Sequence, residues 1–530
     1  MKEIKTDVLV IGSGVAGIMA ALTASRMGCE VVLVSKLSLR SGNSGISAGA
    51  WVFPTAELTP DRYIQLIMKT GKEINDRQLV RVIAERGEGM TQRLRDMGLP
   101  LVRLADRYWI VETRGSRKGP GMTLVDGLLA KIHDDRIMAL PWVSILDLVV
   151  DEGRASGAIG LSRTGESVAI AARSVILATG GGGSLYRRND NHGGMLGDGY
   201  WLALAAGLPL RDMEFVQFFP LALSEPRLPA TIVDEPFPKA SRIVNTQGED
   251  VLKKHGLPAD LNEIADTCRD QLTLILAMEK KLGDVYLDYT AVPGDAWQRA
   301  PLERLHRTNP DFRHRPFSVG PAVHFFMGGV EIDAHAQTEI SGLFAAGEVT
   351  SGVHGANRLG GNALAECLVF GEVAGESAAR HALEGDSWKP RLHAMRGGLS
   401  WGDKTGHART VLQEIQNLMW LHAGPIRNAE SLREGVAGAL RLESRLDGLI
   451  SEKGSVAHNA VKGGLLISQA VMRASLEREE SRGAQYREDF PTRNDNVWLK
   501  HVVLRMDPNT RDLVVSHSDL LTAESVKERP

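Results

Sequence analysis

An imidazole and a guanidinium share a glycine-rich turn in the stretch His354-Gly-Ala-Asn-Arg358-Leu-Gly-Gly-Asn362-Ala-Leu-Ala-Glu366. Arg358 keeps its charge and offers a planar fork of donors, so a carboxylate or a developing enolate is its natural partner. Such a turn directs chemistry only if regular elements hold it. Gly342 to Ala346 reads as a strand, and the apolar run from Asn362 reads as a helix. That order leaves backbone N–H groups unpaired at the helix entrance, a seat for a pyrophosphate or a flavin carbonyl, with Asn362, Ala363 and Leu364 presenting it.

A second nucleotide signal lies at the N-terminus. Thr6 to Ile11 reads as a buried strand, Gly12-Ser-Gly14-Val-Ala16-Gly17 follows it, an alanine-rich helix runs to Met27, and a second strand covers Glu30 to Val34. In that context Gly12 makes the tight turn, Gly14 lets a pyrophosphate approach and Gly17 lets the helix pack on the strand, with Ala16 beside them. The acidic residue expected after the second strand is absent. Ser35 and Lys36 stand there, a hydroxyl and an ammonium that can meet ribose or phosphate, which leaves FAD open. The small-residue loop from Arg40 to Trp51 reads as wrapping a ligand, with Ser41, Gly42, Asn43, Ser44, Ala48 and Gly49 as contacts; Ile46, Ala48 and Trp51 would be poorly placed in solvent. Val175 to Thr179 reads as a buried strand running into Gly180 to Gly183, a seat for the adenine half of FAD formed by Ala178, Thr179, Gly180 and Gly181. Asp198 opens a helix and reads as its N-cap.

The 530 residues allow two to four domains. A net charge of -3 argues against a nucleic-acid coat or an anionic-membrane binder. Three cysteines, Cys29, Cys268 and Cys367, make no metal or iron–sulfur spacing, so no metal site is expected. No apolar run reaches the length of a membrane span, and the cytoplasm is the expected compartment, peripheral to a membrane only through a partner. The fold class is α/β: a Rossmann-like FAD-binding domain over 1–212 and 324–390, an inserted α+β capping domain over 213–323, and a C-terminal helical domain over 391–530 closed by a strand from Trp498 to Met506. Trp142 to Ala172 reads as a small antiparallel sheet of its own.

These residues resemble the flavoprotein subunit family of succinate dehydrogenase and fumarate reductase, which includes L-aspartate oxidase. The resemblance covers nearly the whole chain and is carried by Gly12 to Gly17, Ser35-Lys36, Ala178 to Gly183, Gly197-Asp-Gly199, Met213 to Gln217, Met327 to Gly329, Gly342 to Glu348, His354 to Gly361 and Glu480 to Pro491. It implies hydride transfer between flavin N5 and a bond next to a carboxylate, with Glu348 reaching the FAD ribose or ribityl chain and His324 and Arg358 gripping one substrate carboxylate.

The departures bear on function. Where respiratory members carry a histidine bonded to the flavin, this loop has Asn43, so FAD is expected to be noncovalent. The family's His-Pro-Thr-Gly is replaced around Phe219 and Leu221, where a second carboxylate would be an unpaired buried charge. Counting back from Asn245 puts Phe237 at the position assigned to the family's proton-shuttling arginine, and Lys239 or Arg242 is expected to take over. The expected substrate is a small carboxylate or acyl compound other than succinate or fumarate, held by Arg358, His324 and His354, with its apolar end on Phe219 and Leu221. An iron–sulfur protein is the expected electron partner, in a larger complex. A stand-alone oxidase resembling L-aspartate oxidase, or a flavin electron-transfer protein without its own substrate, are the alternatives.

Overall fold

Val8, Leu9 and Val10 are wholly buried in succession, the pattern of a strand covered on both faces. In the computed structural model, which describes residues 2–104, 107–111, 119–132, 136–384, 401, 406–449 and 455–520, they lie in the middle of a seven-stranded sheet. Lys2–Ile11 runs parallel to Val31–Ser35 on one side and to Ser167–Leu177 on the other, and Val31–Ser35 pairs in parallel with Ile137–Pro141. Helices Val15–Arg26 and Asn362–Glu384 cross at close range. A Cβ at Gly371 would stand 2.6 Å from the Ala16 carbonyl oxygen and one at Gly375 2.5 Å from that of Ala20, so this approach requires glycine.

The antiparallel strands Val143–Asp151 and Arg154–Ser162 do not form a separate sheet, as their alternation alone implied. Ser167–Leu177 is one continuous strand whose first half pairs with Arg154–Ser162 and whose second half pairs in parallel with Leu343–Ala345. The physical reason is Ser174, whose hydroxyl donates to the Ala378 carbonyl at 3.0 Å and meets His381 Nδ1 at 2.9 Å. A polar residue satisfied in this way continues the strand instead of breaking it.

The inserted segment builds a four-stranded antiparallel sheet in the order Val216–Leu223, Phe317–Phe326, Val285–Asp288 and Arg242–Asn245. Helices Leu261–Thr267 and Arg269–Leu282 cover it, around a core of its own that includes Leu221, Phe237, Leu276 and Phe317. Its last strand extends past residue 323, so His324 and Phe325 belong to the cap sheet and not to the strand that follows it.

Helices His407–His422, Ala429–Leu449 and Val456–Glu477 follow. The strand expected to close the chain is present as Lys500–Met506, and the strand after it was not expected. Lys500–Met506 pairs with Leu210–Arg211, and a further strand, Leu513–Asp519, folds back on it. Asp507 makes that reversal by accepting the N–H groups of Asn509 and Thr510 at 2.8 Å each, turn chemistry hidden among polar residues. No helix among the described residues is long and apolar enough to cross a membrane.

The junction between this tail and the segment just before the cap strand Val216–Leu223 is ionic. Arg478, wholly buried, donates to Glu214 at 2.6 Å, Glu480 at 3.1 Å and the Trp498 and Lys500 carbonyls, while Arg482 donates to Glu480 at 2.5 Å. Removing one partner of such a pair leaves an uncompensated buried charge. Arg478→Ala should therefore lower unfolding free energy by about 3–5 kcal/mol in urea titration. Arg505→Ala, which breaks a half-exposed pair with Glu339, should change it by less than about 1 kcal/mol.

Candidate active site

The glycine turn, the 41–49 loop, the cap and the 354–364 turn all face one cavity of about 840 Å³. At one end, Gly12 (φ +116°) comes so near the end of the strand Ser167–Leu177 that a Cβ would stand 2.1 Å from the Ala178 carbonyl oxygen. Gly14 caps the helix Val15–Arg26 without any side-chain bond, leaving the helix entrance to an anion. Ser13 Oγ and Thr179 Oγ1 are buried with no hydrogen-bond partner among the described residues. Unsatisfied donors around a glycine cradle at a helix N-terminus fit a bound dinucleotide pyrophosphate.

Ala16, Ser35, Lys36, Ser41, Gly42, Asn43, Ser44, Ala48, Gly49, Ala178, Thr179, Gly180, Asp198, Glu348, Ala363 and Leu364 also line this cavity. Asp198 is not the helix cap. Gly197, at φ +78°, caps Asp198–Ala205, and Asp198 stands in its first turn, paired with the Lys36 ammonium. Three expected contacts do not reach the cavity. Gly17 serves helix packing, since a Cβ there would stand 1.8 Å from the Gly12 carbonyl oxygen. At Gly181 a Cβ would meet Glu348 Oε1 at 2.3 Å, so this glycine makes room for that carboxyl. The Asn362 side chain turns away and accepts from Tyr63 Oη at 3.2 Å.

The Asn43 amide is fully engaged: it donates to Asn191 at 2.7 Å and Glu348 at 3.3 Å, and accepts the His192 N–H at 2.9 Å. Glu348 is pushed up to about 7 by burial, against the opposing bonds from the Phe326 N–H and Asn43.

At the other end stand Arg358, His324, Phe219 and three residues that sequence reasoning missed, Arg269, Glu235 and Arg107. Arg358 is 5% exposed, lies 4.6 Å over the Phe325 ring and donates to the Leu359 carbonyl at 3.3 Å. Burial, then the nearby Arg269 charge, pull its pKa down to about 10. His324 Nδ1 is 2.7 Å from the Asp190 carboxylate, which fixes the ring and leaves Nε2 for a ligand. Arg269 lies 5.5 Å over the Phe219 ring and shares Glu235 with Arg107, each at 3.4 Å. Asp270, next to Arg269, accepts from Asn357 at 2.8 Å, tying the cap helix to the turn that carries Arg358.

Several expected catalytic groups lie elsewhere. His354 is 3% exposed, bonded to Glu366 at 3.0 Å and edge-on to Phe325, so it props the ring on which Arg358 rests and does not line the cavity. Lys239 and Arg242 are exposed residues of the cap that do not reach it. Phe237 and Leu221 turn into the cap core, leaving Phe219 as the apolar wall beside His324. Arg269 had one legible signal: it occupies the first position of the helix Arg269–Leu282, where the macrodipole opposes a cation.

A parallel sheet with a glycine phosphate turn, and a cap bringing arginines to the same cavity, define an oxidoreductase built on a dinucleotide cofactor. The chain belongs to the fumarate reductase and succinate dehydrogenase flavoprotein family: residues 7–364 match the FAD binding domain and residues 412–529 the fumarate reductase flavoprotein C-terminal region. It is an FAD-dependent oxidoreductase. Among its relatives is one subunit of the CoM/CoB fumarate reductase of Methanothermobacter marburgensis, 33% identical over 95% of this chain and 98% of that protein. The L-aspartate oxidase of Streptomyces coelicolor is 32% identical over 97% and 94%. A solved quinol–fumarate reductase structure with menaquinol molecules superposes with a TM-score of 0.86 at 25% identity, covering 99% of both chains.

Burial holds the Glu348 carboxyl in its protonated form, so the stability it contributes is complete below the ordinary value of 4.5 and is lost as pH rises through about 7. Glu214 is raised to about 7, also mainly by burial. The thermal midpoint of the FAD-free protein should therefore fall between about pH 5 and pH 8, and Glu348→Gln should flatten part of that slope. An unchanged slope in the variant would contradict the assignment.

Proposed function

We propose that the protein reduces the carbon–carbon double bond of an α,β-unsaturated monocarboxylate, or runs the reverse reaction, with noncovalently bound FAD. The observation that carries this reading is the pairing, at the reacting end of the cavity, of an uncompensated guanidinium, Arg358, with an apolar wall, Phe219. Lys36 pairs with Asp198, Arg107 and Arg269 share Glu235, and Arg304 pairs with Asp234 at 3.1 Å. Among the described residues lining the cavity, Arg358 is the cation without a carboxylate within ion-pair distance. A substrate carboxylate would pair with Arg358 there, and the apolar remainder of a monocarboxylate would lie on Phe219. The relatives' names specify fumarate and L-aspartate, each with two carboxylates, and here the second would lie against the Phe219 ring, beside two arginines that share Glu235.

The glycine turn, the 41–49 loop, Lys36, Thr179 and Glu348 hold the cofactor. FAD bound there would, in its reduced form, supply the hydride for the β-carbon of the substrate. Arg358 and His324 Nε2 hold the carboxylate and meet the negative charge that spreads onto it as the bond is reduced. Asp190 keeps the His324 ring from rotating away. Arg269, on the Phe219 wall, donates the proton that the α-carbon takes up, and Glu235 returns one to it, with Arg107 next in line. His354 acts through Phe325 by holding the Arg358 guanidinium in place.

Asn43 has no ring nitrogen to bond a flavin and its amide is committed to three neighbours, which supports noncovalent attachment. Acid precipitation of the holoprotein should leave all the FAD in the supernatant; yellow pellet protein would contradict this. The electrons come from a separate iron–sulfur protein, a reading supported by the name of the Methanothermobacter relative, which designates one component of a multi-subunit reductase.

Anaerobic reoxidation of the dithionite-reduced holoprotein tests the substrate class. 2-Butenoate should reoxidise the flavin faster than fumarate does, and a preference for fumarate or turnover of L-aspartate would sink the monocarboxylate reading. Arg269→Gln should lower kcat by about 10²–10⁴ with little change in KM, the signature of a lost proton donor. Arg358→Met should raise KM as well as lower kcat.

A further inference from the structure

The cavity does not end at the reacting groups. Its lining extends into the cap, where it includes Leu223, Ile232 and Val233 from one segment, Leu302 and Leu305 from another, and the exposed Thr308. Leu223, Val233 and Leu302 are 1%, 3% and 6% exposed, whereas Thr308 is at the surface, so the arm begins in the interior and opens to solvent. Its first wall is held by backbone bonds: the Leu223 N–H donates to the Thr231 carbonyl and the Val233 N–H to the Leu221 carbonyl, both at 2.8 Å. A four-carbon acid gripped by Arg358 would leave this arm unfilled.

We infer that the substrate carries an unbranched apolar chain beyond its double bond, and that this chain lies in the arm between Leu223 and Leu305. The inference rests on the monocarboxylate reading and adds to it the residues that select chain length. The charged groups along the arm, Arg304 and Asp234, neutralise each other, so the wall offers a tail no unpaired charge. Apolar side chains line both walls, so the tail gains by burial alone. Each methylene that enters should tighten binding about fourfold, until the chain reaches the mouth.

The test uses the FAD-loaded protein and two readouts. 2-Butenoate, 2-hexenoate and 2-octenoate, which the oxidised flavin has no hydride to reduce, are titrated against its visible absorption band, and the same three acids are compared by anaerobic reoxidation of the reduced flavin. Affinity and kcat/KM should both rise with chain length, by at least tenfold from four carbons to eight. In Leu305→Trp, which plugs the arm, the ratio between the eight- and four-carbon acids should fall at least tenfold, with the flavin spectrum and thermal midpoint reporting that the variant is folded. The wild-type series decides the matter even if that variant does not fold. Equal or falling affinity with length overturns the arm while leaving the monocarboxylate reading intact. Chain-length dependence that survives in folded Leu305→Trp also overturns it. Failure of every enoate while fumarate reacts sinks the parent reading and this one with it.

Discussion

A guanidinium carried into the interior without a carboxylate of its own is the constraint around which this site is arranged. Burial, the larger effect, and the Arg269 charge pull the Arg358 pKa to about 10, and among the described residues the Leu359 carbonyl and the Phe325 ring face hold it in place. The surroundings are built to tolerate that charge. Phe325 lies under it, His354 and Glu366 brace Phe325 from behind, and Asn357 ties the turn to Gln217 at 2.8 Å and to Asp270 on the cap helix. An anion brought by a ligand completes the arrangement, and low exposure is what makes that interaction strong.

The same constraint explains the cap. Arg269 adds a like charge near Arg358, and it is tolerable because Glu235 offsets it and the Phe219 ring packs beneath it. Asp270, the next residue, bonds Asn357, so the element that brings the second arginine also grips the turn that carries the first. Cap and nucleotide domain therefore meet through charged and amide groups at the reacting end, while the apolar core of the cap stays separate from the main core.

Far from the cavity, the ionic lattice of Arg478, Glu214, Glu480 and Arg482 joins the C-terminal segment to the strand region before the cap. Here every partner is internal and wholly or nearly buried. The contrast is chemical: lattice cations are matched to protein carboxylates, whereas Arg358 has no carboxylate within ion-pair distance among the described residues.

What could be read from the residues alone was whatever depends on neighbours in the chain. Gly12, Gly14 and Gly17 with their flanking apolar runs define strand, turn and helix locally, because the steric need for glycine and the burial pattern are both short-range. The parallel sheet and the two-part nucleotide domain follow from that order, and Arg358 and His324 could be singled out by their motif. Contacts across long stretches of chain were not legible. Lys239 and Arg242 lie close in sequence to Phe237 yet point to solvent, while Arg269, some thirty residues on, arrives at the cavity because a helix of the cap crosses the strand bearing Phe219. His354 sits in the same turn as Arg358 but faces the opposite way, toward Glu366. Sequence distance sets backbone geometry; which side chains share a cavity is decided by how the sheets and helices pack, since only packing determines which of two opposite faces of a turn becomes the inside.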